Sequence, residues 1–329
     1  MANSLIDSLL ADLDADTAMS PERRELLREL LARVVMVAES DAITKDLRVA
    51  VTAIDELLEA FTLFDRYQDR KKLTIFGSAR TKVDSPLFEM TRELAHEMAE
   101  RHWIVVTGAG PGIMEASSAG AGSANTLGVN IKLPFEQNAN AYIDARTSLV
   151  TMNYFFTRKV ALTRPSIAFV VLPGGLGTMD ELFEVLTLLD TGKTNPAPVV
   201  LLDTPDGLFW TQWMTFMEEG IVRNSYVDGD NMCLVRYATS VEETVAEIER
   251  FYSNYVGFAI EGERGLITVR EAPTRDQLSR LRTNVPAFDD GEGYRIESDD
   301  RISFDFDGRN YVNLRRVIDE VNRWSQSSS

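Results

Sequence analysis

Val170-Val171-Leu172-Pro173-Gly174-Gly175-Leu176-Gly177-Thr178-Met179-Asp180-Glu181 reads as an apolar strand that runs through a glycine-rich turn into a helix with an acidic first turn. The first N–H groups of a helix have no partner inside it and the helix dipole is positive there, so this end holds an anion such as a phosphate. Gly174, Gly175 and Gly177 let the backbone approach that anion closely, and adopt a positive φ if the turn demands one. Thr178 is suited to be a helix cap or a direct hydroxyl donor. At a rise of roughly 1.5 Å per residue, Glu181 stands about 4 to 5 Å beyond Thr178, a distance that fits the sugar of a ribose 5-phosphate better than its phosphate. The competing reading is a tight strand-to-helix turn in which Glu181 only complements the dipole.

Outward from this stretch, short apolar runs recur at 73–76, 104–107, 129–133, 167–172 and 199–202, separated by helical patterns. Such alternation predicts an α/β fold of the Rossmann-like type, a mainly parallel sheet with helices on both faces. Ligands of such sheets bind at the carboxyl ends of the strands. Gly77-Ser78, Gly108-Ala109-Gly110-Pro111-Gly112 and Pro173-Gly174-Gly175 all fall at strand ends, so three loops are expected to meet at one edge. The second loop is not a dinucleotide fingerprint. Ile113 stands where its third glycine belongs, and Asn130 and Lys132 replace the acidic residue about 20 positions on. It reads as a second nucleotide- or base-binding turn, or as a structural turn. Gly192-Lys193-Thr194 resembles the tail of a Walker A loop, but Thr187 stands at the position of its first glycine and a helix precedes it, so it reads as a plain loop. Arg158 and Lys159, at a predicted helix start, cannot share a face; one is expected to reach the pocket while the other pairs elsewhere.

Residues 1–70 read as a helical extension, with Ser20-Pro21-Glu22 as a helix start. Leu47, Val51, Ile54, Leu58 and Phe61 recur at helical spacing and predict one buried stripe, against the main domain or a sister subunit. The catalytic domain is expected over 71–256. Residues 257–329 read as a small α+β module, ordered β, α, β, β, α, in which Asp289, Asp290, Glu292, Glu297, Asp299 and Asp300 form a solvated face without the spacing of a calcium loop.

Composition narrows the function. The 329 residues are 44% hydrophobic, enough for a sizeable core. A net charge of −17 argues against a nucleic-acid partner, because phosphate backbones are held by Lys and Arg. No apolar run approaches the roughly 18 residues that span a bilayer, and the first residues lack a leader pattern, so no membrane association and a cytoplasmic location are expected. The single cysteine, Cys233, excludes an intrachain disulfide, and the two histidines, His96 and His102, lie far in sequence from the glycine-rich turn. No metal and no cofactor are expected.

Taken together, Gly77-Ser78, Gly108 to Gly112 with Met114-Glu115, Arg158-Lys159, and Pro173-Gly174-Gly175-Leu176-Gly177-Thr178 through Glu181 to Thr187 resemble the LOG family. These are the cytokinin riboside 5'-monophosphate phosphoribohydrolases often mislabelled lysine decarboxylases, and the likeness spans about residues 70 to 255, closest to the longer bacterial branch. The resemblance implies hydrolysis of the N-glycosidic bond of a purine nucleoside 5'-monophosphate, AMP or an N6-modified AMP, giving free base and ribose 5-phosphate. It implies Arg158 and Glu181 as the catalytic pair, and substrate contacts from Gly77, Ser78, Gly108, Gly110, Gly112, Met114, Glu115, Lys159, Pro173, Gly174, Gly175, Gly177, Thr178 and Thr187. Glu136 resembles the family's acidic residue ahead of the Arg-Lys pair, although the intervening length differs from the family's. With the amphipathic N-terminal helices, the resemblance also implies a homo-oligomer. In that chemistry an ionised Glu181, kept so by the helix N-terminus, stabilises positive charge on the sugar. The alternative on the same fold is a non-catalytic carrier of a nucleotide or of molybdenum cofactor.

Overall fold

The computed structural model describes residues 6–11, 19–38, 44–134, 138–227, 229–289 and 293–324. The chain divides between Asp55 and Glu56 into two compact units. The first holds a helix at 6–11 (α1), α2 (Pro21–Ala38) and the start of α3 (Thr44–Asp65). α2 begins as its sequence predicts, with Ser20 Oγ accepting from the Arg23 N–H at 3.2 Å and Pro21 in the first turn.

The second unit is built on a seven-stranded sheet in the order β4-β3-β2-β1-β5-β6-β7. Its strands are β1 (Lys72–Phe76), β2 (Ile104–Thr107), β3 (Thr126–Ile131), β4 (Leu149–Met152), β5 (Ala168–Val171), β6 (Val199–Leu202) and β7 (Val235–Ala238). Every pair is parallel. A parallel sheet needs apolar cover on both faces, and alternate residues of each strand supply it. Phe76, Val106, Val129, Phe169 and Val171 join α6 (Phe155–Thr163), α7 (Leu176–Asp190), α8 (Phe209–Phe216) and the last turns of α3 in one core. Ile75, Val105, Val170 and Leu172 join α4 (Pro86–Glu100), α5 (Ile113–Ala121) and α9 (Val241–Phe251) in the other.

Of the two coverings expected for the α3 stripe, packing on the main domain is corrected by the structure, while a sister subunit is left as the alternative. Val51, Ile54, Leu58 and Phe61 are exposed, and the face turned inward carries Glu56, Ala60, Leu63 and Phe64. The helical period is right, but the inward face is the one whose carboxylate meets buried donors.

A second, antiparallel sheet, β10-β11-β9-β8, follows α9. β8 (Tyr255–Glu261) and β9 (Arg264–Val269) are joined at Gly262, with φ +64°, and Gly265 faces the Phe258 and Phe304 rings, which leave no room for a Cβ. α10 (Arg275–Asn284), β10 (Arg295–Ser298), β11 (Arg301–Asp305) and α11 (Tyr311–Trp324) complete this part. Its core reaches back to Phe251 at the end of α9, while Val245 and Ile248 of the same helix sit in the parallel-sheet core. Asp290 and Glu292 of the acidic loop lie outside the described residues.

Candidate active site

β1 has β2 on one side and β5 on the other, and the helices that follow β1 and β5, α4 and α7, cover opposite faces. A crevice opens at the carboxyl ends where the two connections diverge. The loops there are joined main chain to main chain. The Ser78 N–H donates to the Pro173 carbonyl at 3.2 Å, and the Ile113 N–H to the Ser78 carbonyl at 3.1 Å. Gly112, with φ +67°, has no space for a side chain, since a Cβ would lie 2.4 Å from the Ser78 carbonyl oxygen. Ala109 also takes a left-handed φ of 63°, and Asn140 braces it by donating from its backbone N–H and its Nδ2 to the Ala109 carbonyl.

The glycines of the turn after β5 divide by role. Gly174 is pressed against Thr178, whose Oγ1 would lie 2.2 Å from an added Cβ, whereas a Cβ on Gly175 or Gly177 meets no protein atom within 4 Å. None of the three takes a positive φ; the left-handed residues belong to the β2 loop. Gly175 is the N-cap of α7, so Thr178 lies inside the first turn and the capping role expected for it is corrected. Thr178 is buried and lies on the wall of the cavity.

The resulting cavity has a volume of about 550 Å³. Of the residues singled out in the sequence, Gly77, Ser78, Gly108, Met114, Arg158, Gly175, Gly177, Thr178 and Glu181 form its wall. Gly110, Gly112, Pro173 and Gly174 lie in the loops that carry the wall. Glu115, Lys159 and Thr187 are not on it. Lys159 turns to α7 and pairs with Glu184 at 2.5 Å and Asp180 at 3.3 Å. The Thr187 hydroxyl donates to the Phe183 carbonyl at 2.7 Å, beside a separate cavity of about 150 Å³. Glu136 lies outside the described residues. The wall also includes Arg80, Asn130, Leu133, Phe155 and Leu176, none of which was expected as a site residue. Arg80 had a legible signal, a cation four residues beyond the end of a strand and two beyond Gly77-Ser78.

Arg158 is 8% exposed. Its Nε donates to the Val129 carbonyl at 2.9 Å and its Nη2 to the Gly108 carbonyl at 3.2 Å, while Nη1 faces Glu181 Oε1 at 3.6 Å. Gly108 is required here, because a Cβ would lie 2.1 Å from Nη2. Burial lowers the Arg158 pKa against the pull of Glu181. Burial likewise pushes the Glu181 carboxyl up to about 7, with Arg158 and Lys159 opposing and Asp180 and Glu184 reinforcing the rise. The expectation that the helix N-terminus keeps Glu181 ionised is thus corrected. Glu181 is the sixth residue of α7, beyond the first turn where the dipole acts, and desolvation wins.

A parallel α/β sheet with this crevice at its switch point is Rossmann-like. The family described as "Possible lysine decarboxylase" matches residues 114–248. A cytokinin riboside 5'-monophosphate phosphoribohydrolase of Mycobacterium tuberculosis (strain ATCC 25618 / H37Rv) is 35% identical over 130 residues, 38% of this chain and 67% of the relative. The rice enzyme of that name, LOG of Oryza sativa subsp. japonica, is 30% identical over 195 residues, 58% of this chain and 77% of the relative. Among solved structures, the molybdenum cofactor binding protein of Rippkaea orientalis aligns at a TM-score of 0.40 and 22% identity, covering 55% of this chain and 96% of that one. The chain belongs to the LOG family of phosphoribohydrolases. Among the described residues, no helix is long and apolar enough to cross a membrane.

Proposed function

We propose that the protein hydrolyses the N-glycosidic bond of a purine nucleoside 5'-monophosphate, AMP or an N6-modified AMP, giving free base and ribose 5-phosphate. The observation that carries this reading is Glu181, a largely covered carboxyl facing Arg158 at 3.6 Å on the wall of the same cavity as the open N-terminus of α7. The phosphate docks at the N–H groups after Gly175, where the glycines leave room, with Arg80 as a further cation on the wall. Among the described residues Arg80 makes no ion pair. The ribose then lies toward Glu181, and the base extends along Met114, Leu133 and Phe155.

As the bond between the anomeric carbon and the base nitrogen breaks, its electron pair leaves with the base, which takes a proton from solvent to be balanced by the one Glu181 later returns there, and positive charge develops on the sugar. Ionised Glu181 stabilises that charge and accepts a proton from the water whose oxygen bonds to the anomeric carbon. A carboxyl that titrates near neutrality is matched to this task. Arg158 holds Glu181 in place and favours its ionised form. The scheme calls on no cofactor. The exposed Leu58 and Phe61 on α3 support assembly as a homo-oligomer, which sedimentation tests.

Incubation with AMP, GMP, CMP and N6-prenylated AMP, followed by separation of products, tests the reading. Free purine base with an equal amount of ribose 5-phosphate is expected. Recovery of bound but intact nucleotide would overturn hydrolysis and favour the carrier.

A further inference from the structure

α6, which carries Arg158, begins at Phe155, and its N-cap residue, Tyr154, makes no side-chain capping bond. The acceptor comes instead from α3. Glu56 is 4% exposed. Its Oε1 accepts from the Asn153 backbone N–H at 2.6 Å and from Asn153 Nδ2 at 2.8 Å, and its Oε2 accepts from the Thr157 hydroxyl. A buried carboxylate is costly unless its oxygens are fully bonded, and three donors meet this one. It also stands at the positive end of the α6 dipole. Burial raises the Glu56 pKa, but the bonds from Thr157 and Asn153 outweigh burial and leave it below the ordinary value, so the group is ionised at neutral pH.

Thr157 is the neighbour of Arg158, whose own N–H closes the first turn on the Tyr154 carbonyl at 3.2 Å. Glu56 therefore grips the chain on both sides of the N-cap, at Asn153 just ahead of α6 and at Thr157 in the first turn that aims the guanidinium. With Nε and Nη2 held by backbone carbonyls, only Nη1 faces Glu181. A small rotation of α6 would break that facing. Glu56 also lies ahead of β1 and outside the stretch that matches the family.

We propose that Glu56 is a positioning residue for Arg158: it clamps the first turn of α6 from α3 and so sets the guanidinium against Glu181. The positional claim stands on the contacts above, and its effect on turnover rests on the proposed hydrolysis. The charged groups that act on Glu181 are Arg158 and Lys159 of α6 and Asp180 and Glu184 of its own helix. Loosening α6 withdraws the two cations and leaves the two acids in place.

The test is the carboxyl ¹³C titration of Glu181 in the full-length, ligand-free protein, compared among wild type, Glu56→Ala, Glu56→Gln and Thr157→Val. The Glu181 midpoint is expected to rise by about half a pH unit or more in Glu56→Ala, with the other two variants between it and wild type. In parallel, kcat for base release is expected to fall about tenfold or more with KM little changed, and Glu56→Gln to restore part of it. An unchanged midpoint in variants whose amide spectra are native would overturn the proposal, as would turnover that falls only with the folded fraction. Should Glu56→Ala not fold, Glu56→Gln and Thr157→Val carry the same readouts. If wild type releases no base, the hydrolase reading fails while the titration still decides the role of Glu56.

Discussion

In the proposed hydrolysis, protons and turnover are coupled at Glu181. If its ionised form does the work, kcat/KM should rise with pH through an acidic limb near 7, the value to which burial lifts this carboxyl. Glu181→Gln should lower base release at least about 100-fold while AMP still binds in a calorimeter. The same shift has a stability signature with a definite sign. The folded pKa lies above the usual value of 4.5, so the folded state holds this proton more tightly, and wild type loses stability as pH climbs from about 4.5 through about 7. Glu181→Gln is spared that loss. Its stability relative to wild type should therefore increase by up to roughly 3 kcal/mol between pH 4.5 and 8, measured by denaturant melts; a difference independent of pH would contradict the buried titration. The glycines give an opposite pair. Gly108→Ala drives a Cβ into Arg158 and should cost about 100-fold in turnover. Gly177→Ala meets no protein atom, and should stabilise α7 by about 0.5–1 kcal/mol yet weaken nucleotide binding.

At the scale of elements, the salt bridges of Lys159 with Asp180 and Glu184 couple α6 to α7 on the side away from the cavity. Lys159→Ala should leave phosphate affinity almost intact and lower kcat modestly, by about threefold, since partly exposed pairs are worth about 1 kcal/mol or less; steady-state kinetics with a separate binding titration decides. How much was legible follows element by element. β1, β2 and β6 are continuous apolar runs because both their faces are covered, and the strand-to-helix turn after β5 has a composition that little else requires. β4 was missed because it is a four-residue strand at the sheet edge with uneven burial, and β7 because Arg236 and Tyr237 interrupt its apolar character. β8 follows α9 closely, and its pairing with β9 is interrupted by a bulge at Val256. Periodicity showed that α3 is a helix but not which face turns inward, since that depends on Asn153 and Thr157, about a hundred residues away. The Arg158–Glu181 pair was legible through the family resemblance, while Glu56, outside the matched motifs, was not.

At the scale of the whole molecule, the C-terminal sheet is bound to the parallel-sheet layer by more than apolar contact. Arg315 of α11, 3% exposed, bonds Glu247 of α9 at 3.0 Å and Asp319 at 3.1 Å, and Asp319 accepts from Arg236 of β7 at 2.6 Å. Tyr311 fills the space over Gly192 just beyond the end of α7. A chain ended after Tyr252 would strip Glu247 of Arg315 and Arg236 of Asp319, leaving them each other and Arg250, and would uncover Phe251. It is expected to aggregate or to lose its near-ultraviolet circular dichroism, and a soluble, cooperatively melting fragment would refute this.

Because Ser78, Pro173 and Ile113 are stitched together through their backbones, the seam at the mouth of the crevice depends little on which side chains surround it. Architecture and taste are thereby separable. Under the proposed hydrolysis the recess at Met114, Leu133 and Phe155 takes the base, so a library randomised at those three sites is expected to change base preference while the seam keeps its shape.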